Sequence, residues 1–245
     1  VKKEVKVGVI GGSGLEKLVE GRELNVITPY GNVRLILGKL GECPIAFIAR
    51  HGLKHEIPPH RVNYRGNIWA LKKVGVKYII ASNAVGGIRE GLKPGDLIVP
   101  HDFIDFTKKR PLTFYEGPKV KHVDMTLPYC PKLRKILIES AEKHFKRVWR
   151  EGIYVCTEGP RFETPAEIKM FRLLGADVVG MTTVPETILA KEMNICYATL
   201  CVITNYAAGM QDKISAEEVS EIMEKRIPII AEIFKDCAAR LLIEE

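Results

Sequence analysis

Short apolar runs of strand length alternate along the whole chain with stretches whose apolar positions recur at helical spacing. Residues 5–10 read as a buried strand ending at Gly11-Gly12-Ser13-Gly14. Residues 33–40 and 44–49 read as a hairpin around Gly41-Glu42. A helix over about 62–74 stops at Gly75, and a strand over 78–81 opens onto a turn at 83–87. Two short apolar segments, 96–100 and 103–106, precede a polar, Pro-bearing loop over 108–130, a length that in a compact domain usually serves function. A helix follows Pro131 to about 145, and 152–157 is a strand. Thr164-Pro165-Ala166-Glu167 is a capping box opening a helix that Gly175 ends. After a strand at 177–181, residues 183–186 repeat the capping pattern before another helix. Residues 196–204 form a nearly all-apolar strand, and Ser215 caps a last helix in which Pro228 is expected to introduce a kink.

This alternation runs without a linker, repeat or compositional break. It predicts one α/β domain over residues 1–245, with a mixed, mainly parallel β-sheet flanked by helices. A chain of 245 residues buries about three quarters of its unfolded surface, so its core needs neither metal nor disulfide. Apolar residues at 46% and charged residues at 27% exclude disordered and fibrous classes. No apolar run is long enough for a membrane span, and the N-terminus carries no signal pattern, so the expectation is a cytoplasmic protein.

The net charge is +7, but the basic residues are scattered, with Lys108-Lys109-Arg110 the one cluster. No RNA-binding aromatic signature accompanies it, so nucleic acid is not the expected partner. The six cysteines include no C-x-x-C pair, and buried free thiols are the expectation. His51 and His55 stand four apart, yet Gly52 and Pro58-Pro59 argue against a helix there, so no metal site is expected.

In open α/β sheets ligands gather at the carboxyl ends of the strands. Those ends carry Gly11–Gly14 with Ser13, Arg50-His51-Gly52, the 83–87 segment, Glu158-Gly159-Pro160-Arg161-Phe162, Met181-Thr182-Thr183 and the 205–209 segment. Glycines admit an anion to backbone N–H groups, and an Arg offers a planar fork suited to phosphate. Phe162 could be a core ring or a stacking face for a flat base. No group reads as an activated nucleophile. A phosphate cradle without a nucleophile suggests that phosphate is itself the reactant.

These motifs, with Asn63-Tyr64 and Asn67-Ile68-Trp69-Ala70-Leu71, resemble the trimeric purine nucleoside phosphorylase family over essentially the whole chain, the 5'-methylthioadenosine phosphorylase branch most of all. The resemblance implies a pentosyltransferase of purine salvage. Phosphate, a co-substrate and not a cofactor, attacks the anomeric carbon of a purine nucleoside. It implies phosphate ligands Ser13, Arg50, His51, Asn83, Ala84 and Thr182, with His51 and Asn205 catalytic. It implies substrate contacts from Phe162, Met181, Asn205, Tyr206 and Ala207. His122 and Met125 would reach a neighbouring subunit's pocket in a trimer or dimer of trimers, and His55, Glu163 and Ala216 would border the site. No other cofactor is implied.

The methylthioadenosine branch has Asp at the positions of Asn205 and Ala207, and Thr at that of Asn83. An Asn amide donates where a 6-oxopurine accepts, at O6 and N7. The expectation is therefore phosphorolysis of inosine, guanosine or 5'-methylthioinosine, with 5'-methylthioadenosine as the alternative substrate. A nucleosidase using water would have no need of this cradle, and a non-catalytic nucleotide- or nucleic-acid-binding module would show a continuous basic face with aromatics, which the scattered charge does not offer.

Overall fold

The computed structural model describes residues 5–12, 15, 19 and 21–243. Among these, eleven strands share one mixed sheet. Its centre is β5 (Tyr78–Gly87), which runs parallel to β1 (Val7–Gly11) through its first residues and parallel to β11 (Cys196–Tyr206) along its length. β4 (Cys43–Ala49) lies parallel on the other side of β1, and β3 (Gly31–Leu40) and β2 (Gly21–Thr28) extend that edge antiparallel. Beyond them in sequence come the short β6 (Leu97–Ile98), β7 (Asp102–Phe106), β8 (Val148–Trp149), β9 (Ile153–Thr157) and β10 (Val178–Gly180). β10 meets the far end of β5 antiparallel at Gly86 and Gly87, and carries β9 and then β7 on its other side.

Both faces of the central strands are covered, which is why β1, β5 and β11 read as continuous apolar runs and not as alternating ones. Leu133, Ile136 and Leu137 of α2 (Pro131–His144) and Ile230, Ile233 and Phe234 of α5 (Ala216–Ile243) pack on Val7, Ile45, Phe47 and Leu200. Ile68 and Leu71 of α1 (Tyr64–Lys73) and Leu189 of α4 (Thr183–Glu192) cover Ile10, Ile48 and Ile79 on the opposite face. Ile168 and Phe171 of α3 (Pro165–Leu173) pack with Val155 of β9 and Val179 of β10, and the Thr164–Glu167 capping box at the start of α3 forms as expected. Among the described residues no helix is long and apolar enough to cross a membrane.

α5 runs from Ala216 to Ile243 with Pro228 inside it. Three expectations need correction. The sequence pattern misses β2, whose outer positions are exposed on both faces. Residues 83–87 are not a turn but the second half of β5. The second supposed capping box, 183–186, is not one: Thr182 is the N-cap, it makes no side-chain cap bond, and Glu186 turns to a different partner.

The cysteines also depart from expectation. Cys130 and Cys196 form a disulfide between the start of α2 and the start of β11. The Cys130 N–H donates to the Tyr197 carbonyl at 2.9 Å, so the two segments lie side by side, a proximity that sixty-six residues of sequence separation conceals. Cys43, Cys156, Cys201 and Cys237 are buried thiols outside any disulfide, and burial pushes the Cys156 and Cys201 thiols up to about 12. Thiol titration of the unreduced, denatured protein should therefore find four reactive groups, and six after reduction. Six before reduction would exclude the Cys130–Cys196 bond.

Candidate active site

A cavity of about 450 Å³ opens where β1, β4, β5 and β11 end together. Its wall takes Gly12 from β1, Arg50 and His51 from β4, Asn83–Gly86 from β5, Met181 and Thr182 from behind β10, and Thr204 and Asn205 from β11. The last two are neighbours, and neighbours in a regular strand face opposite sides. A register shift between Ile203 and Asn205, paired with Val85 and Gly86 in turn, leaves Thr204 without a partner across the ladder. That bulge turns both side chains to the cavity.

Arg50 is 2% exposed and bound on three sides. Its Nε donates to Glu186 Oε1 at 2.5 Å, Nη2 to Glu186 Oε2 at 2.9 Å, and Nη1 to the Ser82 carbonyl at 2.8 Å. Tyr197 adds a 2.6 Å hydrogen bond to Glu186 Oε2. Burial works against the Arg50 charge, but the facing carboxylate more than offsets it and holds the guanidinium protonated. Glu186 is one of the residues that the sequence reading missed as part of the site. Each Arg50 Nη keeps one N–H for a ligand, because each spends only one of two.

The His51 Nδ1 lies 2.8 Å from the Ile57 carbonyl, an acceptor only, so Nδ1 carries the proton and Nε2 is a lone-pair acceptor. Burial, with Arg50 next to it, lowers the His51 pKa to about 4. His51 is thus neutral at pH 7 and accepts at Nε2. Asn83 is likewise committed: its Nδ2 donates to Thr199 Oγ1 at 2.6 Å, and its Oδ1 accepts from Thr182 Oγ1. Thr182 also stands at the start of α4, whose unbonded N–H groups favour an anion.

At the other side of the cavity the Asn205 amide is fixed in one orientation. Thr204 Oγ1 donates to its Oδ1 at 2.8 Å, and its Nδ2 donates to the Tyr206 carbonyl at 2.9 Å. A carbonyl cannot donate, so flipping the amide would set two oxygens against each other. Gly86 makes room for this amide, since a Cβ there would stand 3.3 Å from Asn205 Nδ2. Glu163 is half-buried with Oε1 accepting from Thr157 Oγ1 at 2.6 Å. Burial raises its pKa and the Thr157 hydroxyl opposes that. Phe162 is 38% exposed and lines the cavity, a ring with a free face. Gly159, at φ +63°, lets Met181 approach, because a Cβ would lie 2.6 Å from the Met181 Sδ.

Ala84, His55 and Ala216 complete the lining, with His55 and Ala216 exposed at its rim. Tyr206 and Ala207 are not brought to it: Tyr206 contributes its carbonyl to Asn205, and Ala207 packs in the core with Val155 and Val179. His122 and Met125 stand on the 107–130 segment away from this cavity. Ser13 lies outside the described residues.

Fold and site together define an α/β enzyme whose cavity joins an end rich in oriented N–H donors to an end lined by an amide and an aromatic ring. The family model for the Phosphorylase superfamily matches residues 6–239, and the chain belongs to that superfamily. It is 50% identical over 234 residues to a probable S-methyl-5'-thioinosine phosphorylase of Methanopyrus kandleri, covering 95% of this chain and 91% of that protein. It is 50% identical over 231 residues to a 6-oxopurine nucleoside phosphorylase of Pyrococcus furiosus, covering 90% and 87%. Among solved structures it superposes on methylthioadenosine phosphorylase from Schistosoma mansoni in complex with adenine. The TM-score is 0.93 at 35% identity, covering 98% of this chain and 93% of that one.

His51 generates a pH prediction. Its folded pKa of about 4 lies below the ordinary value of 6.5, so the unfolded chain binds the extra proton first on acidification. Its contribution to stability is complete above about pH 6.5 and is lost as pH falls towards 4, by at most roughly 3 kcal/mol. In phosphate-free buffer, the melting temperature of His51→Gln should fall less steeply than that of the unmodified protein across this window. Parallel curves would show that His51 is not held neutral.

Proposed function

We propose that this chain catalyses phosphorolysis of 6-oxopurine nucleosides, releasing the free base and ribose 1-phosphate or its 5-methylthio analogue. The observation that carries the reading is the locked Asn205 amide. One Nδ2 hydrogen is spent on the Tyr206 carbonyl, and the other remains for a ligand. O6 and N7 of hypoxanthine or guanine both accept. Adenine offers an amino donor at position 6, and the Tyr206 carbonyl, an acceptor only, opposes the flip that would suit it. The Glu163 carboxylate adds a second criterion, since a 6-oxopurine has an N1–H to donate and adenine has a lone pair there.

Phosphate would meet the two unspent Arg50 N–H groups, the Thr182 end of α4 and the Asn83–Ala84 segment. The Arg50–Glu186 pair is neutral overall, so a dianion is held chiefly by oriented hydrogen bonds. The acceptor Nε2 of His51 suits the single P–OH of monohydrogen phosphate. A phosphate oxygen forms the new bond to the anomeric carbon as the glycosidic bond breaks. The electron pair of that bond passes to the purine, whose growing charge at N7 is stabilised by Asn205. Met181 and Phe162 would pack on ribose and base, and no cofactor takes part.

The same reading includes assembly as a threefold-symmetric homo-oligomer, with His122 and Met125 serving a neighbouring copy's cavity. Its support is the segment that carries them, where Val120 and Leu127 are 73% and 57% exposed.

The test is kcat/KM for inosine, guanosine, adenosine and the two 5'-methylthio analogues, with and without phosphate. Activity should require phosphate, and 6-oxo substrates should exceed their 6-amino counterparts by on the order of 10⁴, the scale of mismatch at a buried polar site. Equal use of 5'-methylthioadenosine would replace the base assignment. Base release without phosphate would make the enzyme a nucleosidase.

A further inference from the structure

Arg110 belongs to the one basic cluster of the sequence and to a segment without helix or strand, yet it is 8% exposed. Its guanidinium points inward and binds four oxygens. Nη1 donates to the Tyr64 hydroxyl at 2.9 Å and to the Met181 carbonyl, and Nη2 donates to the Thr157 and Glu158 carbonyls at 3.3 and 2.5 Å. The Tyr64 hydroxyl passes the connection on, donating to the Pro59 carbonyl at 2.8 Å, while the Tyr64 ring lies 5.3 Å from the guanidinium. Nε has no hydrogen-bond partner, with Glu158 Oε1 at 3.7 Å.

Each of these acceptors belongs to a segment that reaches the cavity: Pro59, the 157–163 loop with Phe162 and Glu163, and Met181. Three backbone carbonyls converging on one buried point repel one another unless a cation stands between them. A guanidinium does so with its donors in a fixed plane, which one ammonium cannot reproduce. The Arg110 charge is also the last of those that lower the His51 pKa, after burial, Arg50 and His55. Its contacts run to the walls for base and ribose. The Arg50, Glu186 and Ser82 cluster is held by other bonds.

We infer that Arg110 is a positioning residue of the nucleoside subsite, fixing Met181 and the Phe162–Glu163 loop from behind without touching substrate. This rests on the reading of the cavity as a nucleoside phosphorylase site. Displacement of a wall by about 1 Å is enough to cost on the order of 10²-fold in rate.

The experiment compares Arg110→Met and Arg110→Lys with the unmodified protein in two readouts. In steady-state kinetics, Arg110→Met should raise the inosine KM about tenfold or more and change the phosphate KM less than about threefold, with Arg110→Lys between. In hydrogen exchange without any ligand, amides of residues 157–163 and 181–182 should exchange faster in Arg110→Met, while those of 46–50 and 79–82 stay protected. The exchange arm is independent of the reaction. If the unmodified protein has no phosphorolytic activity, the functional reading fails and exchange alone decides the role of Arg110. Unchanged exchange in those loops, or equal rises in both KM values, would overturn the inference. Should Arg110→Met fail to fold, Arg110→Lys carries the same comparison.

Discussion

Arg50 in the cavity wall pairs with Glu186 behind it, both side chains about 1% exposed, and the geometry of the site follows from that pair. Two parallel hydrogen bonds set the plane of the guanidinium, the Ser82 carbonyl fixes its other end, and the Tyr197 hydroxyl holds the Glu186 carboxylate. Through it, the end of β4 is tied to the first turn of α4, to β5 and to β11. Removing one partner of such a pair costs about 3–5 kcal/mol, because the other charge is left buried and alone. The pair also decides what the cavity offers an anion. A free Arg beside a protonated His would give two positive charges. A neutralised Arg beside a neutral His51 gives directed N–H groups and one acceptor instead. Such a site selects by hydrogen-bond pattern more than by net charge.

The base end of the cavity follows the same logic. The β11 bulge brings Thr204 and Asn205 to one side, and the Tyr206 carbonyl fixes the orientation of the amide. Under the proposed reading, specificity rests on a residue that supplies the donor and on a neighbour that stops it from turning. Glu163 is braced in the same way by Thr157. The two recognition groups come from different parts of the chain, and Arg110 holds the loop of one of them through carbonyls.

The strand ends are legible in the sequence because a buried strand must stop being apolar where it meets a ligand. Arg50-His51, Met181-Thr182 and Asn205 stand out for that reason, and all line the cavity. Glu186 does not stand out. Thr-x-x-Glu before an apolar run has the form of a capping box, and only the partner 136 residues away shows otherwise. Arg110 sits after two lysines and reads as surface until its four acceptors are in place. A bulge depends on the register of a neighbouring strand, so Thr204 carries no local signal. Tyr206 and Ala207 err in the other direction: they flank Asn205 in sequence, but the chain has turned away from the cavity by then.

The central claim is that Arg50 and Glu186 act on phosphate as one unit. The direct measurement is equilibrium binding of phosphate by calorimetry to the unmodified protein, Arg50→Met, Glu186→Gln and the double variant. Each single change should weaken binding by roughly 10- to 100-fold, the loss expected for a charge-assisted contact or its orientation. The double variant should bind no more weakly than Arg50→Met alone, since a guanidinium already absent cannot be misdirected. Glu186→Gln binding phosphate as well as the unmodified protein or better, or two losses that simply add, would mean that Arg50 holds phosphate without being aimed by its partner.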